Sequence, residues 1–86
     1  VAKPTRFEPV LSGRALSYLA KLPKRKERRV VDLLFRLAEY PHQPGDYDSF
    51  DELGRRVQHL EVGAIVISYW PDDAVRELRI VDIEEL

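Results

Sequence analysis

Between Val62 and Trp70 apolar side chains occupy both odd and even positions, with Val, Ile, Tyr and Trp dominating. A strand covered on both faces carries that pattern, whereas a half-exposed strand alternates with polar residues. Pro71-Asp-Asp73 then interrupts the run, because proline lacks the ladder donor and aspartate hydrogen-bonds the backbone of turns. From Val75 to Ile83 the alternation is mixed. Arg76, Leu78, Ile80 and Asp82 fall on one side, and Val75, Glu77, Arg79, Val81 and Ile83 on the other. The two arms predict a hairpin that organises the domain.

Upstream, Thr5 to Leu11 reads as a short extended segment with Phe7 and Val10 as its apolar members, and Pro9 suits an edge strand. Ser12 is a good N-cap, and Ala15, Tyr18, Leu19 and Leu22 at helical spacing predict a helix over 13–22 that Pro23 ends. A stripe of Val30, Leu33, Leu34, Leu37 and Ala38, widened by Val31 and Phe35, predicts a second helix from Lys24 to Tyr40, stopped by Pro41. Residues 41–54 mix turn formers and acids with three isolated large apolar residues, Tyr47, Phe50 and Leu53, and read as a long loop partly packed down. Arg55 to Glu61 alternates loosely and should pair with the central strand through a tight turn near Gly63. The expected fold is α+β in the order β-α-α-β-β-β, a two-helix hairpin on one face of a small antiparallel sheet, with residues 1–86 forming one domain.

Composition narrows the function classes. With 44% hydrophobic and 34% charged residues the chain is of the folding rather than the disordered kind. The absence of cysteine excludes disulfides, cysteine-ligated metal centres and a thiol nucleophile. No apolar run approaches the ~20 residues that span a bilayer, and the first residues lack a signal-peptide core, so a cytoplasmic location without membrane contact is expected. The net charge of −1 conceals a division. Residues 1–40 hold ten Lys or Arg against four acids, and residues 41–86 four against eleven. Either the two halves attract each other within the fold, or a basic face serves RNA or an acidic partner.

The densest basic run is Lys24-Arg25-Lys26-Glu27-Arg28-Arg29, a solvated helix face or a patch that tracks phosphates. No cofactor motif is present, and His42 and His59 lack the spacing of metal ligands. The remaining constellation is Arg55, Arg56 and His59 on one predicted strand, Tyr69 on the next, and Glu77 and Arg79 on the third. If register brings them to the face left open by the helices, these groups could orient RNA and cleave it by general acid-base chemistry, with arginine stabilising the phosphorane. Cross-strand ion pairing, above all of Glu77, is the alternative.

Several strings together resemble the RelE/ParE superfamily of toxins from toxin-antitoxin modules. They are Leu11-Ser-Gly-Arg-Ala15, Leu19-Ala-Lys-Leu-Pro23, Leu37-Ala-Glu-Tyr-Pro41, Pro44-Gly-Asp46, Gly54-Arg55, Gly63 and Tyr69. The resemblance implies two helices on a small antiparallel sheet. It also implies a cognate antitoxin as partner, and either ribosome-dependent cleavage of messenger RNA or binding of another protein such as DNA gyrase. Departures from the nuclease pattern are a central strand, Gly63 to Tyr69, without arginine, and an acidic finish, Asp82-Ile-Glu-Glu-Leu86. Arg55, Arg56 and Arg79 are then the remaining basic candidates. A homodimer through an open edge of the Val75–Ile83 strand is a further expectation.

Overall fold

The structure, a computed structural model, describes residues 6–86. Its elements are β1 (Glu8–Leu11), α1 (Gly13–Ala20), α2 (Lys24–Glu39), β2 (Tyr47–Phe50), β3 (Arg56–Val62), β4 (Ile65–Asp72) and β5 (Glu77–Glu85). Thr5, the expected start of the first strand, lies outside the described residues. Ser12 caps α1 as its residue type predicts: its Oγ accepts from the Ala15 amide at 3.2 Å, and its hydroxyl donates to the Val81 carbonyl at 2.8 Å. The helix closes two residues before the expected end. Lys21 and Leu22 donate to carbonyls three residues back in a tightened last turn, and Pro23 disfavours helical geometry at the residue before it. Pro23 then stands at the N-cap of α2 without a side-chain cap.

The sheet has five strands in the order β1-β5-β4-β3-β2. The expected order β-α-α-β-β-β has four strands; the fifth strand, β2, comes from the segment expected to be loop. Its four residues are all exposed, so no burial pattern betrays them. The loop before it is drawn onto β3 by the Asp46 amide donating to the His59 carbonyl at 2.8 Å, and Gly45 passes so close to His59 that a Cβ would collide with its backbone. β1 is an edge strand, as Pro9 predicts, but it runs parallel to β5 because the helical pair carries the chain away before it returns. The sheet is therefore mixed. β5 lies between β1 and β4 from Glu77 to Ile80, so the expected open edge along 75–83 is corrected over that stretch, and β1 and β2 are the outer strands.

One irregularity decides which side chains meet. Tyr69 pairs with Ile80 and Ser68 with Asp82, leaving Val81 as an extra residue in β5. This bulge reverses the alternation after Ile80. Leu78, Ile80 and Ile83 all enter the core under the helices, and Ile83 no longer shares a face with Arg79 as strict alternation predicts. The core is built from Ala15 and Leu19 of α1, Leu34, Leu37 and Ala38 of α2, Phe7, Ile67, Tyr69 and these three residues of β5. Both helices thus cover one face of the sheet, and the other face is open.

Candidate functional site

On the open face the side chains of β2, β3 and β4 converge on His59. Its ring stacks on Tyr47 with centroids 4.8 Å apart, the cross-strand partner expected from the register. Nε2 lies 2.7 Å from Ser49 Oγ and Nδ1 lies 2.8 Å from Ser68 Oγ. These groups line a cavity of about 510 Å³ whose rim carries Asp51, Asp82, Glu84 and Glu85. A hydrogen bond with the Asp82 carboxyl, reinforced by its charge, pushes Glu84 above the ordinary carboxylate range. Arg14 reaches the cavity from α1, 3.8 Å from Asp82.

A second cluster sits at the other end of the same face. Trp70 and Arg79 are cross-strand partners on β4 and β5, and the Arg55 guanidinium lies over the Trp70 ring at 4.4 Å. Both arginines have carboxylate partners. Arg55 Nε donates to Asp51 at 2.7 Å, which with two amide hydrogen bonds holds the Asp51 carboxyl below its ordinary range. Arg79 reaches Glu77 at 2.9 Å and Asp72 at 3.5 Å, while its Nε is buried without a partner. Glu77 therefore pairs with an arginine of its own strand, and the cross-strand ion pair is Arg79–Asp72.

The five residues predicted for acid-base chemistry divide. His59, Arg55 and Arg79 share the open face. Arg56 points to the opposite face, where its guanidinium lies 5.5 Å from the Phe50 ring and 3.4 Å from Asp48. Tyr69 is fully buried beneath the helices and donates to the Gln43 carbonyl at 3.0 Å. Burial pushes its hydroxyl above the ordinary tyrosine range. Side chains of adjacent residues in a strand point oppositely, which separates Arg55 from Arg56, and Tyr69 follows Ile67 into the core. Sequence reasoning missed Ser49, Ser68, Tyr47 and Trp70. Only Ser68, a lone hydroxyl inside an apolar run, left a signal. Among the described residues no group of three His, Asp or Glu side chains is arranged to hold a metal ion, and no helix is long and apolar enough to cross a membrane.

Lys24, Arg25, Lys26, Arg28 and Arg29 are exposed on the first turns of α2, and among the described residues none forms an ion pair. Among the described residues, the only ion pair that joins the basic half of the chain to the acidic half is Arg14–Asp82. The charge division is thus displayed rather than consumed. Lys26 and Arg29 rim a groove of about 510 Å³ between the helices and the β3–β4 turn, walled by Tyr18, Leu22, Val30, Leu33, Val62 and Ile65.

No protein-family model matches the chain, and no curated protein matches it in sequence. Solved structures do match. A chain of the toxin-antitoxin complex RelBE2 from Mycobacterium tuberculosis superposes with a TM-score of 0.75 at 23% identity, over 94% of this chain and 99% of that one. The archaeal RelE-RelB complex from Pyrococcus horikoshii gives 0.69 at 15%, over 93% and 94%. The isolated RelE toxin of E. coli gives 0.68 at 12%, over 92% of this chain and 83% of that one, and there the toxin stands alone. The fold is that of the RelE toxins. At these identities the likeness is one of architecture alone.

Proposed function

We propose that this chain is the toxin-like member of a two-protein module, held by an antitoxin that seats an acidic amphipathic helix in the groove beside α2. The observation that carries this reading is the groove itself: apolar walls to take the hydrophobic stripe of a helix, and Lys26 and Arg29 at its rim to meet flanking carboxylates. The RelE-like fold supports it, since the matched structures include RelE in complex with RelB. The test is co-purification with the product of the adjoining reading frame, alongside growth on expression of the chain alone. Growth arrest relieved by the partner is expected, and Lys26→Glu with Arg29→Glu should weaken the complex at least tenfold, about 1.4 kcal/mol. No arrest and no complex would overturn the reading.

Ribosome-dependent cleavage of messenger RNA is the second reading, favoured by Arg55, Trp70 and Arg79 side by side on the open face, where an aromatic ring and guanidinium groups suit an unpaired base and its phosphate. Against it stand the carboxylate partners of both arginines and the burial of Tyr69. A toxin acting by binding fits the site better. A ribosome-dependent cleavage assay of the parent separates the two, and cleavage lost in Arg79→Ala would restore the nuclease.

A further inference from the structure

Ser68 is the one buried polar residue among those described, 9% exposed within the apolar run of β4 from Ile65 to Pro71. A hydroxyl placed there costs free energy unless a partner compensates it, and its partner is His59 Nδ1. The opposite ring nitrogen, Nε2, meets Ser49, which is exposed on the edge strand. The three side chains thus form a hydrogen-bonded chain: a buried hydroxyl, an imidazole, and a hydroxyl open to solvent. With the ring proton on Nδ1 donated to Ser68, Nε2 is left as the acceptor of the Ser49 proton. The stack on Tyr47 fixes the plane of the ring.

A nucleophile within hydrogen-bond reach of a base that is itself oriented by a third group is the arrangement from which serine acyl transfer works. We propose that Ser49, His59 and Ser68 form a nucleophile-base relay that cleaves esters bearing a positive charge. Ser49 Oγ attacks the carbonyl carbon and its proton passes to His59 Nε2. The tetrahedral intermediate collapses with that proton delivered to the leaving alkoxide, giving a free alcohol and an acyl-Ser49. Water, deprotonated by His59, then releases the acid and restores the serine. Ser49 and His59 are the catalytic residues, and Ser68 is a positioning residue.

The substrate class follows from the cavity wall. Asp51, Asp82 and Glu84 line the cavity that Ser49 and His59 share, and a wall of that charge disfavours an oxyanion on a neutral ester. An ammonium group on the acyl portion offsets that field and finds ready partners, as in an amino ester. Arg14 is the one cation lining the cavity among the described residues, and its contact with Asp82 is long.

Two probes test the relay: hydrolysis of lysine p-nitrophenyl ester against p-nitrophenyl acetate, and labelling by a fluorophosphonate located by mass spectrometry. Turnover of the cationic ester in preference to the neutral one is expected, with the label on Ser49. Ser49→Ala should abolish both, and His59→Gln, which keeps hydrogen-bonding capacity in the sheet, should cut turnover by about 10²-fold or more. Ser68→Ala should lower kcat about tenfold with KM unchanged and move the acidic limb of the pH profile, which loss of packing alone would not do. A folded parent that neither turns over ester nor takes the label at Ser49 overturns the proposal, as does parental turnover in Ser49→Ala. The relay lies across the sheet from the groove of α2, so its failure leaves the proposed function untouched.

Discussion

The two faces of one sheet are built on different rules. Under the helices, β4 and β5 present Ile67, Tyr69, Leu78, Ile80 and Ile83 to the apolar sides of α1 and α2, and the face is held by area removed from water. On the open face the same two strands present Ser68, Trp70, Glu77, Arg79 and Asp82, held by side-chain hydrogen bonds and by the Arg79–Asp72 ion pair between strands. The first kind of contact is insensitive to pH and salt and intolerant of lost volume. The second is tolerant of substitution and sensitive to charge. A fold arranged this way keeps its frame on one side and leaves the other free to vary in chemistry.

The largest break in that contrast is expected from Tyr69→Ala. It removes a fully buried ring beneath the helices and should cost about 3–5 kcal/mol in urea unfolding. Leu34→Ala, on the helix that covers it, should cost about 2–5 kcal/mol. His59→Ala on the open face should cost only about 1 kcal/mol despite its two hydrogen bonds, because the emptied space is open to water. Equal losses at Tyr69 and His59 would show that the faces are not distinct.

Smaller effects sharpen the charge side. Arg79→Ala should cost about 1 kcal/mol or less, since the side chain is 40% exposed and its ion pairs are screened by solvent. A thermal melt read beside the cleavage assay then tells framework from function. The smallest effect is local. The Asp51 carboxyl, lowered chiefly by its hydrogen bond with the Arg55 side chain, closes the β2–β3 connection. Its contribution is present above the ordinary aspartate range and is lost as pH falls through its lowered value, so amide exchange at Leu53 and Arg55 should quicken at acid pH. Asp51→Asn should abolish that dependence.

Much of the frame was legible because it rests on local patterns. The capping Ser12, the helical stripe from Val30 to Ala38, the prolines at 23 and 41 and the apolar run through Ile67 each state their element within a few residues. The site was legible only in part. His59, Arg55 and Arg79 reach one face as the constellation required, but their nearest companions, Ser49, Ser68 and Trp70, come from strands whose register no local pattern states. β2 escaped because an exposed edge strand has no buried face to mark its period.

By itself the sequence determined two helices, a buried central hairpin and an uneven distribution of charge, since propensity, turn chemistry and periodicity act over neighbouring residues. The tertiary structure alone decided what those elements bring together. Pairing Tyr69 with Ile80 and Ser68 with Asp82 leaves Val81 unmatched, and that single extra residue turns Ile83 inward and Asp82 toward the open cavity. Side chains alternate with a period of two, so a shift of one residue reverses every face beyond it, and only the assembled sheet fixes where the shift falls.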